Sequence, residues 1–146
     1  MKAIQDKDLV SVPDESVWDT VADLVIQSVH QRFMLSGMPT WKPTVLGNKP
    51  LIGSGALMNS ETIDSRSDTH ISISWGNGLP YAMIQQYGGV VQAKNVPYLK
   101  FKMGDQWVSK KSVKIPARPY VALEPQDIVN IVKVFSDYIL NQQETT

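Results

Sequence analysis

The sequence contains no cysteine and only two histidines, His30 and His70, far apart along the chain. Disulfides and thiolate metal sites are therefore excluded, and two isolated imidazoles make a poor ligand set. Long apolar runs are also missing: none approaches the roughly 20 residues that a spanning helix requires. The start, with Lys2, Asp6, Lys7 and Asp8, has no apolar signal core, so a cytosol-like compartment and no membrane partner are expected. No nucleophile elbow, His-Glu-x-x-His helix, Cys-His pair or acidic metal cluster occurs. Residues 51–58 carry Gly53 and Gly55, but their spacing fits neither the dinucleotide fingerprint nor the Walker loop. No catalytic residue, cofactor or metal is expected.

What is present is enough for one core. At 146 residues the chain is expected to form a single domain, 1–146, burying about two thirds of its unfolded surface. Net charge is zero but unevenly spread. Residues 1–40 hold three bases and six acids, and 119–146 hold one base and four acids. Residues 94–118 hold seven bases, Lys94, Lys100, Lys102, Lys110, Lys111, Lys114 and Arg118, against the single acid Asp105. Such polarity suits a nucleic-acid-facing surface, or subunits that pack acidic face to basic face.

Ser11, Pro13 and Asp14 read as a helix start, and Trp18, Ala22, Val25, Val29 and Phe33 then recur at helical spacing, widened by Val17, Val21 and Leu24. A helix of about 20 residues follows, closed by Gly37 and Pro39, with His30 as a half-exposed surface residue. Residues 36–50 read as an extended loop pinned by Trp41, and 51–58 as a turn into a short helix. Residues 61–65 and 69–75 read as paired strands, with Ile71, Ile73 and Trp75 inward and His70 toward water. Residues 79–87 read as a short helix whose Tyr81, Ile84 and Tyr87 pack in the core. A protruding loop is expected over 90–97.

Leu99, Phe101 and Met103 alternate with Lys100 and Lys102, and Gly104-Asp105 turns the chain. The next strand sets Trp107, Val113 and Ile115 against Lys110 and Lys114, so the spacing predicts a hairpin with one apolar and one lysine-rich face. In the stretch 113–123, Pro116 and Pro119 force Ile115 and Arg118 into extended backbone, making a stiff corner around an arginine. Arginine's planar fork suits carbonyls or carboxylates held in fixed geometry. Glu124, Pro125 and Asp127 open a last helix. Its Ile128, Ile131, Val132, Phe135, Tyr138 and Ile139 form one apolar face expected to meet the sheet. Residues 142–146 read as a frayed tail.

Several strings fall in a telling order: Arg32-Phe33; Trp41-Lys42-Pro43; Lys49-Pro50-Leu51-Ile52 with Gly55-Ala56-Leu57; Tyr81-Ala82 with Gln86-Tyr87-Gly88-Gly89; and Ile115-Pro116-Ala117-Arg118-Pro119-Tyr120. Together they resemble the phage virion morphogenesis (tail completion) family over residues 18–140. The family usually closes the last string with Phe and Leu-Gly-Leu, where this chain has Tyr120-Val121-Ala122-Leu123, a change that alters local packing. The resemblance implies an α+β fold, with a long N-terminal and a C-terminal helix packed on an antiparallel sheet. It also implies a virion protein assembled in the host bacterial cytoplasm. Such a subunit would form a ring, commonly of six, closing the tail tube and touching tail tube and head-tail connector or neck proteins.

In a closed heterologous ring, acidic helices of one subunit can meet the basic hairpin of the next, and remaining lysines can face passing genomic DNA. An alternative use of 94–118 is a nucleic-acid-binding accessory module. The corner 115–120 is expected to be structural, and Arg118 to orient the two faces a neighbour recognises.

Overall fold

The computed structural model describes residues 13–37, 40–43 and 51–144, arranged as α1 (Glu15–Met34), β1 (Thr62–Arg66), β2 (Ile71–Ser74), α2 (Ala82–Tyr87), β3 (Gly89–Gln92), β4 (Leu99–Met103), β5 (Gln106–Lys110), β6 (Ser112–Ile115) and α3 (Pro125–Glu144). The α+β class follows from this order: a long helix near each end, and antiparallel strands between. Those strands form three separate two-stranded ladders, β1–β2, β3–β6 and β4–β5.

Local chemistry sets the helix ends. Asp14 caps α1, its carboxylate accepting from the Ser16 N–H at 3.0 Å and from the Ser16 hydroxyl, which holds Asp14 below the usual carboxylate range. Pro13 therefore precedes the cap and does not sit in the first turn, and the expected Ser11 cap lies outside the described residues. At the other end the Gly37 N–H reaches Arg32 O at 2.8 Å and the Ser36 N–H reaches Phe33 O at 3.1 Å, a Schellman closure with Ser36 at φ 59°. In α3, Pro125 takes the first helical position, and Asp127 reaches back to accept the Glu124 N–H at 2.7 Å, half of a capping box.

The described chain divides into two compact units. One holds residues 13–28, β1, β2 and α3. There the Trp18 indole donates to Asp68 O at 2.9 Å and meets Phe135 edge-on at 5.2 Å, while Arg66 bridges Asp19 and, at 3.5 Å, Glu15. β1 carries a bulge at Asp64, which accepts the Ser74 hydroxyl at 2.9 Å. His70 is exposed, between the Ser65 and Ser67 hydroxyls, as its place on the polar side of the strand predicts. The expectation for α3 needs correction in part: Ile131, Phe135, Tyr138 and Ile139 of the predicted face are half-buried and none is fully buried, while Ile128 and Val132 of that face, with Val129 and Leu140, stand open.

The second unit holds the described residues of 29–61 and of 75–122, with Val29, Phe33, Trp41, Leu57, Trp75, Ala82 and Tyr120 buried. Residues 51–58 form successive turns and no helix, because Gly55 takes a positive φ of 75° and Leu51 one of 65°. Tyr81 and Tyr87 are exposed and not core residues. The six-residue α2 turns only Ala82 fully inward, where a Cβ on Gly76 would stand 2.3 Å from the Ala82 Cβ.

Two further expectations change here. The loop expected over 90–97 is in its first part strand β3, which pairs with β6 through Val91↔Val113 and Gly89↔Ile115. Residues 106–115 are not one strand: the chain breaks at Lys111, and β6 leaves the hairpin for β3. Within β4–β5 the two-residue turn, with Gly104 at φ 63°, pairs Met103 with Gln106, Phe101 with Val108 and Lys102 with Trp107. Val108 thus lies on the apolar side and Trp107 beside the lysines, a reversal of the expected faces.

Candidate functional site

The corner after β6 gathers most of the motif strings. Arg118 is only 7% exposed. Its backbone N–H donates to Gln85 O at 2.7 Å, its Nε to Lys42 O at 3.3 Å and its Nη1 to the Gln85 side-chain oxygen at 3.1 Å. Burial lowers its pKa, but a guanidinium stays charged throughout the working range. Gln86 reads the next two residues: its Oε1 accepts the Tyr120 and Val121 N–H groups at 2.9 and 3.1 Å, and its Nε2 donates to Val121 O at 2.9 Å. A side-chain amide here replaces a strand neighbour that the two prolines prevent.

Arg32 supplies a second clamp, fully buried at 0% exposure. Its Nη1 donates to Ala122 O at 2.7 Å and Tyr120 O at 3.2 Å. The Tyr120 ring lies 5.4 Å from Phe33, which meets Trp41 edge-on at 5.7 Å, and the Tyr120 hydroxyl donates to Ala82 O at 3.0 Å. Burial raises the Tyr120 pKa, with Tyr87 and Tyr81 adding to it, so the phenol keeps the proton it donates. Gly88 makes the approach possible: at φ 71° its absent Cβ would stand 2.7 Å from Ala117 N and 2.9 Å from Ile115 O, both backbone atoms. A hollow of about 430 Å³ opens beside the corner, lined by Trp41, Lys42, Lys114, Pro116 and Pro119 among others.

Thus Ile115, Pro116, Ala117, Arg118, Pro119 and Tyr120 form a clamped joint, held by Arg32, Gln85 and Gln86. In the sequence Arg32 stands out only as part of a string, and nothing marks Gln85. A polar residue deep in an apolar helix stripe, Arg32 between Val29 and Phe33, was the available signal for a buried partner.

All six candidate lysines are exposed. Lys94 stands in the loop between β3 and β4, and Lys111 at the break between β5 and β6. Lys100 and Lys102 share one side of the hairpin with Trp107 and Ser109, Lys110 pairs with Leu99 on the other side, and Lys114 pairs with Val90. The expected single lysine-rich face is therefore divided over two ladders, because the break at Lys111 changes the partner strand. Among the described residues no ion pair reaches any of the six. Trp107, 74% exposed and directly opposite Lys102, is a large apolar group left in water. No described helix is long and apolar enough to cross a membrane.

The chain is similar to the Mu-like prophage FluMu G protein 2 of Haemophilus influenzae, with 32% identity over 120 residues, 82% of this chain and 73% of the relative. No family profile matches the chain. No solved structure matches it.

Proposed function

Because the chain belongs to the family of the Mu-like prophage FluMu G protein 2, we propose that it is a structural protein of a Mu-like virion, a ring-forming tail completion subunit that closes the tail tube and joins it to the neck. The likeness to a Mu-like prophage protein over four fifths of the chain carries the phage part of this reading. The charge partition supports the ring: six exposed lysines in 94–114 that no ion pair reaches among the described residues, and a C-terminal stretch with four acids against one base. A heterologous ring brings such unlike faces together at each junction. Lysines left unpaired there would face DNA passing through the lumen, where sequence-independent phosphate attraction suffices. The clamped corner 115–120 acts structurally in this reading, fixing β6 relative to residues 119–122, and no cofactor or catalytic step is invoked.

Reversing Lys100, Lys102, Lys110 and Lys114 to Glu is expected to abolish ring formation, seen by electron microscopy and sedimentation, and to abolish infectious particles. Particles that assemble and eject DNA normally would overturn the reading. Trp107 beside Lys100 and Lys102 favours a second reading, an accessory nucleic-acid-binding module, since an exposed aromatic among cations offers a stacking platform. Such a module would bind duplex or single strands as an isolated monomer, with affinity falling steeply as salt rises.

A further inference from the structure

The β3–β6 ladder and strand β4 leave between them an apolar trough of about 390 Å³, lined by Val91, Leu99, Phe101, Val113 and Ile115 with Lys100 at its lip. The hairpin register sets Lys110 opposite Leu99, on this same side. An apolar trough with cationic edges fits the apolar flank of an acidic amphipathic helix. The chain carries such a helix. On α3, Ile128, Val129, Val132 and Leu140 are all more than half exposed, and α3 holds Asp127, Asp137 and Glu144 against Lys133 alone among the bases.

The dimensions agree as well as the charges. From Ile128 to Leu140 a helix rises about 18 Å, and β4 runs about 14 Å from Leu99 to Met103, so the trough spans most of that flank. We propose that the trough of one subunit receives the exposed α3 flank of a second copy of this chain. This rests on the ring reading and names the junction. Helix flank and trough are different surfaces, so the contact is heterologous and repeats around a ring.

The absence of cysteine allows a direct test on the full chain. Two single-cysteine proteins, one with Val132→Cys and one with Val91→Cys, are mixed and treated with a short bismaleimide. A heterodimeric cross-link is expected, and it is expected to disappear when Met83→Cys, exposed but outside the trough lining, replaces Val91→Cys. Val132→Glu is expected to weaken self-association at least tenfold by analytical ultracentrifugation while leaving the urea midpoint unchanged at dilutions where the chain is monomeric, since the residue is already exposed there. An oligomer that forms without the cross-link and tolerates Val132→Glu overturns the trough and leaves the ring intact. A helix of another virion protein captured by the trough, in place of α3, would overturn it in the same way. A chain that stays monomeric at high concentration removes the ring reading, and this proposal with it.

Discussion

Arg118 and Arg32 hold the two-proline corner by donating to oxygens of Lys42, Gln85, Tyr120 and Ala122. Removing either head group leaves part-buried acceptors, and for Arg32 also the buried Tyr120 carbonyl, without their donor, a loss of about 1–3 kcal/mol each where water cannot take its place. Arg118→Ala is therefore expected to lower stability by about 2–4 kcal/mol, and Arg32→Met, which keeps the volume, by a similar amount. Arg118→Lys is expected to recover less than half, because an ammonium cannot reproduce the guanidinium fork. Urea denaturation measures all three, and unchanged midpoints would show that the corner stands without its arginines. The stiffness of this joint was legible in the sequence, since proline restricts backbone by local sterics alone. Its second arginine and the Gln86 bracket were not, because their partners lie 88 and 34 residues away.

At the scale of elements, parity decides which side chains meet. The alternation in β4 is plain from the sequence, and a two-residue turn fixes the register of the strand that follows. In a single strand over 106–115 the inward side would run from Val113 and Ile115 back to Trp107, whereas the break at Lys111 ends one ladder and starts another. Trp107→Thr is consequently expected to change stability by less than about 0.5 kcal/mol, and Val108→Ala to cost about 1 kcal/mol despite the smaller deletion. Thermal denaturation of the two variants gives the order directly, and the reverse order would contradict the register. The helices were more legible: caps, spacing and stop signals are local, and α1 and α3 lie within a few residues of where those signals put them. Which flank of α3 is covered is another matter, for an apolar face announces that it needs a partner without saying which one.

For the whole molecule, the decisive property is the separation of charge along a chain of zero net charge. If basic and acidic faces of neighbouring subunits meet, raising salt from 0.05 to 0.5 M is expected to weaken self-association by about tenfold or more, as the screening length falls from beyond 10 Å to a few ångström. Sedimentation across that range reads the effect, and an association indifferent to salt would mean that the charge partition serves something else. The α+β class was what the family resemblance implied; the amino-acid sequence by itself determined the spans of both long helices, the stiffness of the corner and the uneven charge. Each of these follows from propensities and periodicities acting over a few residues. Only the tertiary structure decided that β6 pairs with β3, that Arg32 is buried against Tyr120 and Ala122, that Trp107 faces water and that α3 keeps an open flank. Those outcomes depend on which distant segment reaches a given surface, and a strand's hydrogen bonds or an arginine's donors are satisfied equally well by many partners until the fold selects one.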